Sequence, residues 1–153
     1  MTEAPVSEKS VPAPTLTGRH VRLRAVFPSD YEYLYALAND DELAWRWRYR
    51  GASVSPELFQ QHLWHNVISQ FVVETVESSQ RIGHVQAFDA SERNGFCHFA
   101  VLLDPAVSRS GWSLEALLLF LDYLFAVWNF RKLYAEVLEF NYEQFASGAG
   151  SVA

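Results

Sequence analysis

Residues 95–138 read GFCHFAVLLDPAVSRSGWSLEALLLFLDYLFAVWNFRKLYAEVL, and the order of patterns within them decides the fold. Residues 95–103 form an aromatic and apolar run of strand length, closed by Asp104-Pro105. The chain turns through 106–111 and then places Leu117, Leu118, Leu121, Leu124 and Phe125 at the three- and four-residue spacing of a packed helix, from about 113 to 128. Residues 132–138 return to β-branched and aromatic character. A strand, a helix and a strand in that order make a crossover unit.

Upstream, residues 70–77 and 81–89 are two more strand-like runs, separated from each other and from 95–103 by short polar breaks of hairpin size, which predicts an antiparallel sheet. Residues 16–25 alternate Val21 and Leu23 with His20, Arg22 and Arg24, the period of one half-buried strand. Pro28-Ser29-Asp30 opens a first helix, carried by Tyr31, Leu34, Tyr35, Leu37 and Ala38 up to Asn39-Asp40-Asp41. Ser55-Pro56-Glu57 opens a second, with Leu58, Phe59, His62, Leu63 and Val67 in helical register. The expectation is one α+β domain at 16–146, a mixed and mostly antiparallel sheet flanked by helices. A mobile tail at 1–15 and a flexible one at 147–153 complete the chain.

The bulk properties narrow the function classes. A chain of 153 residues, 50% hydrophobic, is enough for one packed core and cramped for two. Eighteen acidic against twelve basic side chains give −6, a field that repels phosphate polymers and argues against nucleic acid as a partner. Cys97 stands alone, so no intramolecular disulfide forms, and a cytoplasmic setting follows. The apolar run 114–128 is interrupted by Glu115 and Asp122 and falls short of the ~20 residues that span a bilayer, so no membrane is expected. Residues 1–15 have neither the basic start nor the apolar stretch of a signal peptide.

The chemistry concentrates in Ser108-Arg109-Ser110-Gly111-Trp112-Ser113. A helix N-terminus exposes unpaired N–H groups and a partial positive charge, and small residues there let a turn wrap a phosphate. Gly111 permits close approach or positive φ, Ser110 and Ser113 add hydroxyl donors, and Arg109 adds a local cation. The plainer alternative is a loop that only caps a core helix. Trp45-Arg46-Trp47-Arg48-Tyr49-Arg50 interleaves aromatics and arginines. It reads as a base-stacking segment, as an amphipathic one with its arginines solvated, or as a wall of an acceptor pocket. His62 and His65 sit on one predicted helix face without a third ligand in the pattern, so no metal is expected. Cys97 faces away from its neighbour His98 on the strand and reads as a small core residue.

Taken in order, several short stretches resemble the GNAT superfamily of acyl-CoA N-acyltransferases, in particular its Rim-type ribosomal-protein acetyltransferase branch. They are Leu16-Thr17-Gly18-Arg19 with Val21-Arg22-Leu23-Arg24 and Ser29-Asp30, then Asn39-Asp40, Ile82-Gly83-His84-Val85, Leu103-Asp104-Pro105 and Gly111-Trp112-Ser113-Leu114-Glu115-Ala116. The resemblance implies transfer of an acyl group, most simply acetyl, from acyl-CoA to a primary amine by direct attack in a ternary complex, without a metal. The acceptor would be a protein N-terminus or a small molecule.

By the same resemblance, Ser108, Arg109, Ser110, Gly111, Trp112 and Ser113 hold the pyrophosphate. Ser108 replaces the usual Gln or Arg, and Ser113 the usual second Gly or Ala. The main chain of Leu102 and Leu103 pairs with the pantetheine arm, and Asn141 touches CoA. His98 occupies the place of a frequent glutamate, where a histidine serves as base near neutral pH; as a plain strand residue it would only bond its neighbours. Tyr142 stands nearest to the family's general acid. The resemblance also implies that the last helix and two strands of the family are lacking, leaving an apolar sheet edge for a second copy to cover. A catalytically weak CoA-binding or protein-interaction module is the alternative.

Overall fold

The computed structural model describes residues 15–39, 55–107 and 110–135. The elements are β1 (Thr15–Thr17), β2 (Val21–Ala25), α1 (Tyr31–Ala38), α2 (Pro56–Trp64), β3 (Val67–Thr75), β4 (Arg81–Ser91), β5 (Phe96–Leu103), α3 (Trp112–Val127) and β6 (Lys132–Ala135). They build a single six-stranded sheet in sequence order, antiparallel throughout except for the parallel pair β5–β6 that the crossover helix α3 makes necessary. The α+β class and the mixed sheet are those expected.

Strand alternation sorts the side chains onto two faces. Val21 and Leu23 of β2, Phe71 and Val73 of β3, Val85 and Ala87 of β4 and Cys97 and Phe99 of β5 join Ala116, Phe120 and Leu124 of α3 in one core. Burial pushes the Cys97 thiol up to about 11, so it stays protonated there as inert packing. On the other face, Leu34 and Leu37 of α1 and Phe59 and Leu63 of α2 cover Val72, Phe88, Ala100 and Leu102.

The structure corrects four sequence expectations. Residues 16–25 are two strands, with Gly18 donating its N–H to Val21 O at 2.8 Å to turn the chain between them. Val67 begins β3, because α2 stops at Trp64 and Asn66 takes the left-handed region (φ 54°) that hands the helix on to the strand. For the same reason His65 caps the helix in extended conformation and does not share a helix face with His62. Finally, the packed stripe of α3 is Ala116, Phe120 and Leu124, whereas Leu118 and Phe125 are 43% and 52% exposed. A helix lying on one sheet face buries only a narrow stripe.

The arginines of β2 are not solvated. Arg24 forks onto Asp30 through both terminal nitrogens at 2.9 Å and gives its Nε to Glu74 at 2.8 Å, while Arg22 Nε reaches the other Glu74 oxygen at 2.6 Å. Arg81 Nε adds a second guanidinium to Asp30 at 2.9 Å. Under α2, the amides of Gln70 and Gln86 both donate to Leu63 O, at 3.1 and 3.0 Å, and so satisfy a helix-end carbonyl.

At Gly83, β4 lies close against the main chain of β5. A Cβ there would fall inside van der Waals contact of Leu102 O and 3.1 Å from Leu103 Cα, both main-chain atoms that cannot swing aside. Gly83→Ala is therefore expected to cost about 2–3 kcal/mol in denaturant unfolding. A loss under about 0.5 kcal/mol would contradict this strand approach.

Candidate functional site

The turn between β5 and α3 begins where Asp104 donates its N–H to Ile82 O at 2.7 Å and accepts the Ala106 N–H on Oδ1 at 3.0 Å. One 3-10 turn, Pro105–Val107, follows. Ser110 then folds back: its hydroxyl donates to Val107 O at 2.6 Å and accepts the Trp112 N–H at 3.2 Å. The Ser110 hydroxyl is thus hydrogen-bonded within the turn. Gly111 is the N-cap of α3 at φ 84°, ψ −6°. Among the described residues, an added Cβ there would meet nothing within 4 Å.

Helix geometry leaves the first-turn N–H groups, among them those of Ser113 and Leu114, without intrahelical acceptors. They and the open Gly111 cap converge at the positive end of the 16-residue helix α3. Ser113 and Trp112 are half-buried, Trp112 against the α3-side core. Ser108 and Arg109 lie outside the described residues, as do Asn141, Tyr142 and the segment Trp45–Arg50.

The β5 edge can be read residue by residue. Asp104 N–H and Leu102 O both turn toward β4, the second lying against Gly83. Strand alternation then turns the main-chain groups of Val101 and Leu103 to the opposite edge. The β6 register covers Phe96 through Phe99, so Val101 and Leu103 lie past the last described pair. The sequence reading missed Val101. Its signal was the two-residue alternation itself, which cannot put adjacent residues on one edge.

His98 sits on the face opposite Cys97, at the centre of a cross-strand ladder. Phe88, His98 and Tyr134 are direct register partners across β4, β5 and β6. The imidazole stacks on Phe88 (5.9 Å, 24°) and lies beside Tyr134 (5.5 Å, 32°), with Phe96 edge-on to both at 6.0 and 5.6 Å. Aromatic neighbours from β4 and β6 thus flank the ring on both sides along the sheet. Farther along the same sheet face, Tyr33 packs with Leu37, Ala100 and Leu102. Burial, with the Asp104 charge added, holds its phenol well above the ordinary range and so protonated.

The family described as "Acetyltransferase (GNAT) domain" matches residues 20–146. The chain belongs to this GNAT acetyltransferase family. It is an acetyl-CoA-dependent N-acetyltransferase, and its acceptor is an amine. The spermidine N(1)-acetyltransferase of Vibrio cholerae is 25% identical over 118 residues, covering 75% of this chain and 68% of that protein. A crystal structure of the Vibrio cholerae spermidine N-acetyltransferase in complex with CoA and spermine shares the fold. Its TM-score is 0.72 at 23% identity, over 86% of this chain and 78% of that one. A domain from Methanocaldococcus jannaschii has a TM-score of 0.71 at 14% identity, over 86% of both chains.

The geometry of the turn is compatible with acetyl-CoA, because residue 111 carries no side chain beside the α3 amides and no described residue lies within 4 Å of where a Cβ would stand. Among the described residues no group of three or more His, Cys, Asp or Glu is placed to hold a metal ion. No described helix is long and apolar enough to cross a membrane.

Proposed function

We propose that this GNAT protein, as a Rim-type member, moves an acetyl group directly from acetyl-CoA to a small primary amine, with both substrates bound at once. The observation that carries the reading is the positive-φ cap at Gly111, which starts the helix that follows the strand bearing His98. Ser110, Gly111, Trp112, Ser113 and the α3 amides hold the pyrophosphate. Val101 and Leu103 offer the pantetheine arm a strand edge whose main-chain pairing is indifferent to side chains. Acetyl-CoA supplies the activated acetyl thioester. The protein aligns the amine and takes its proton, since only a neutral amine is a nucleophile.

His98 is the proposed base. Its ring is held between Phe88 and Tyr134. Ser108, Arg109, Asn141 and Tyr142 keep the roles the family resemblance gives them, and the domain is placed at 16–146. The similarity to a spermidine N-acetyltransferase makes a polyamine the first acceptor to test, with a protein N-terminus as the comparison. A cytoplasmic setting and a second copy against β6, the terminal strand of the described sheet, belong to the same reading. Mass determination in solution tests the second copy.

Release of the CoA thiol from acetyl-CoA in the presence of spermidine tests the activity. His98→Gln is expected to lower kcat about 10²–10⁴-fold and to leave the KM for acetyl-CoA within about twofold. An unchanged kcat would remove His98 from the mechanism.

A further inference from the structure

One carboxylate in the coenzyme turn points away from it. Glu115, in the first turn of α3, accepts N–H groups from three consecutive residues of the β1–β2 hairpin: Arg19 at 3.1 Å, His20 at 2.9 Å and Val21 at 2.7 Å. The His20 imidazole adds Nδ1 at 3.5 Å. Three successive main-chain amides facing one carboxylate form a built anion receptor, and it is filled by a side chain of the protein itself. Room for it comes from Gly18, where a Cβ would stand 3.1 Å from Glu115 Cδ and 3.0 Å from Leu119 Cδ1.

We infer that Glu115 is a positioning residue for acetyl-CoA, fixing the first turn of α3 against the hairpin so that the Gly111 cap faces the coenzyme in one orientation. The inference rests on the reading of that turn as the pyrophosphate site. A phosphate-binding turn is only as well ordered as the helix end that carries it. The helix stripe Ala116, Phe120 and Leu124 resists lateral movement but can still roll or slide by part of a turn, since apolar contacts are not directional. Three hydrogen bonds to a charged acceptor at residue 115 are directional, and they act one turn from Gly111. The arrangement also answers an electrostatic difficulty. A carboxylate beside a diphosphate would repel it, but this one is turned to the sheet and its charge is taken up by the hairpin amides.

The test compares Glu115→Gln, Glu115→Ala and Gly18→Ala in the full chain, with Gly111→Val as the site control, in steady-state kinetics with acetyl-CoA and spermidine. Loss of the charge-assisted bonds is expected to raise the KM for acetyl-CoA about 3-fold in the glutamine variant and about 10-fold in the alanine variant. In both, kcat and the KM for the amine stay within about twofold. Gly18→Ala crowds the carboxylate without removing its charge and is expected to raise the same KM about 3-fold, which keeps the inference testable should Glu115→Ala not fold. A lower melting temperature with an unaltered acetyl-CoA KM in both Glu115→Gln and Gly18→Ala would overturn it, leaving Glu115 a structural tie alone. A fall confined to kcat would overturn it as well. If Gly111→Val also leaves the acetyl-CoA KM unaltered, it is the location of the coenzyme site that fails.

Discussion

Gly111→Val is expected to lower kcat/KM for acetyl-CoA at least about 100-fold, equivalent to about 2.7 kcal/mol of lost binding in the transition state. Two effects combine. A φ of 84° is closed to a β-branched residue, so the turn must move or carry about 1–2 kcal/mol of strain. The added methyl groups also fill the clear space through which the first-turn amides of α3 meet a ligand. Because no described residue lies within 4 Å of the added Cβ, packing among the described residues is not disturbed, and the melting temperature without ligand should fall little while ligand binding falls steeply. Gly111→Asn separates the two effects, since asparagine tolerates the left-handed region and retains only the obstruction. Calorimetric titration with CoA gives the answer directly. Native affinity in the valine variant would place the coenzyme elsewhere.

The largest effect on stability is expected at Asp30. Its carboxylate is 1% exposed and is bound by both Arg24 terminal nitrogens, by Arg81 Nε and by the Phe27 N–H at 2.8 Å. Asp30→Ala leaves two guanidinium groups facing an empty site and should cost about 3–5 kcal/mol. The total stability of a small domain is about 5–15 kcal/mol, so the variant approaches the limit of folding at 37 °C.

The same carboxylate sets a pH dependence. Burial pushes its pKa up, but the Arg24 hydrogen bonds, the Phe27 N–H and the charges of Arg24 and Arg81 outweigh burial, and the folded value lies below the ordinary 3.8. A depressed folded pKa contributes stability above the unfolded value, and that stability is lost as pH falls through the folded one. Wild-type protein should therefore lose this increment only below about pH 3.8. Asp30→Asn, less stable at neutral pH, should lack that share of the acid transition. Urea midpoints between pH 2.5 and 7, at about half-unit steps, measure both. Parallel curves for the two proteins would show that Asp30 does not carry the linkage.

Local pattern carried most of the fold. The Val21-Arg22-Leu23-Arg24 alternation marked a strand, and Ser55-Pro56-Glu57 marked a helix start that the Ser55 hydroxyl does cap, accepting the Leu58 N–H. Where Arg22 and Arg24 went was not readable, because Glu74 is some fifty positions away and a charged strand face looks solvated until its partners are known. The hairpin at Gly18 was hidden for a related reason: Thr17-Gly18-Arg19-His20 has no Asn-Gly or Asp-Gly pair, and its turn is held in part by Glu115 from the far end of the chain.

The site was legible to a similar depth. Gly111 stood out because a helix start with positive φ needs that residue. That the Ser110 hydroxyl bonds Val107 O within the turn was not readable, because composition cannot say which way a hydroxyl points. The two rings enclosing His98 come from β4 and β6, and only the register of three strands brings them together.

That register has a temporal side. Every other neighbouring pair in the sheet runs antiparallel, while β5 and β6 run side by side in the same direction and cannot meet until α3 has carried the chain back. A contact across such a closed loop forms late, after its entropy has been met by the docking of the helix. His98 and Tyr134 acquire their mutual geometry at that last seam. The pairing of His98 with Tyr134 is therefore expected to follow the antiparallel strands, so the proposed base gains its neighbours only after α3 has docked.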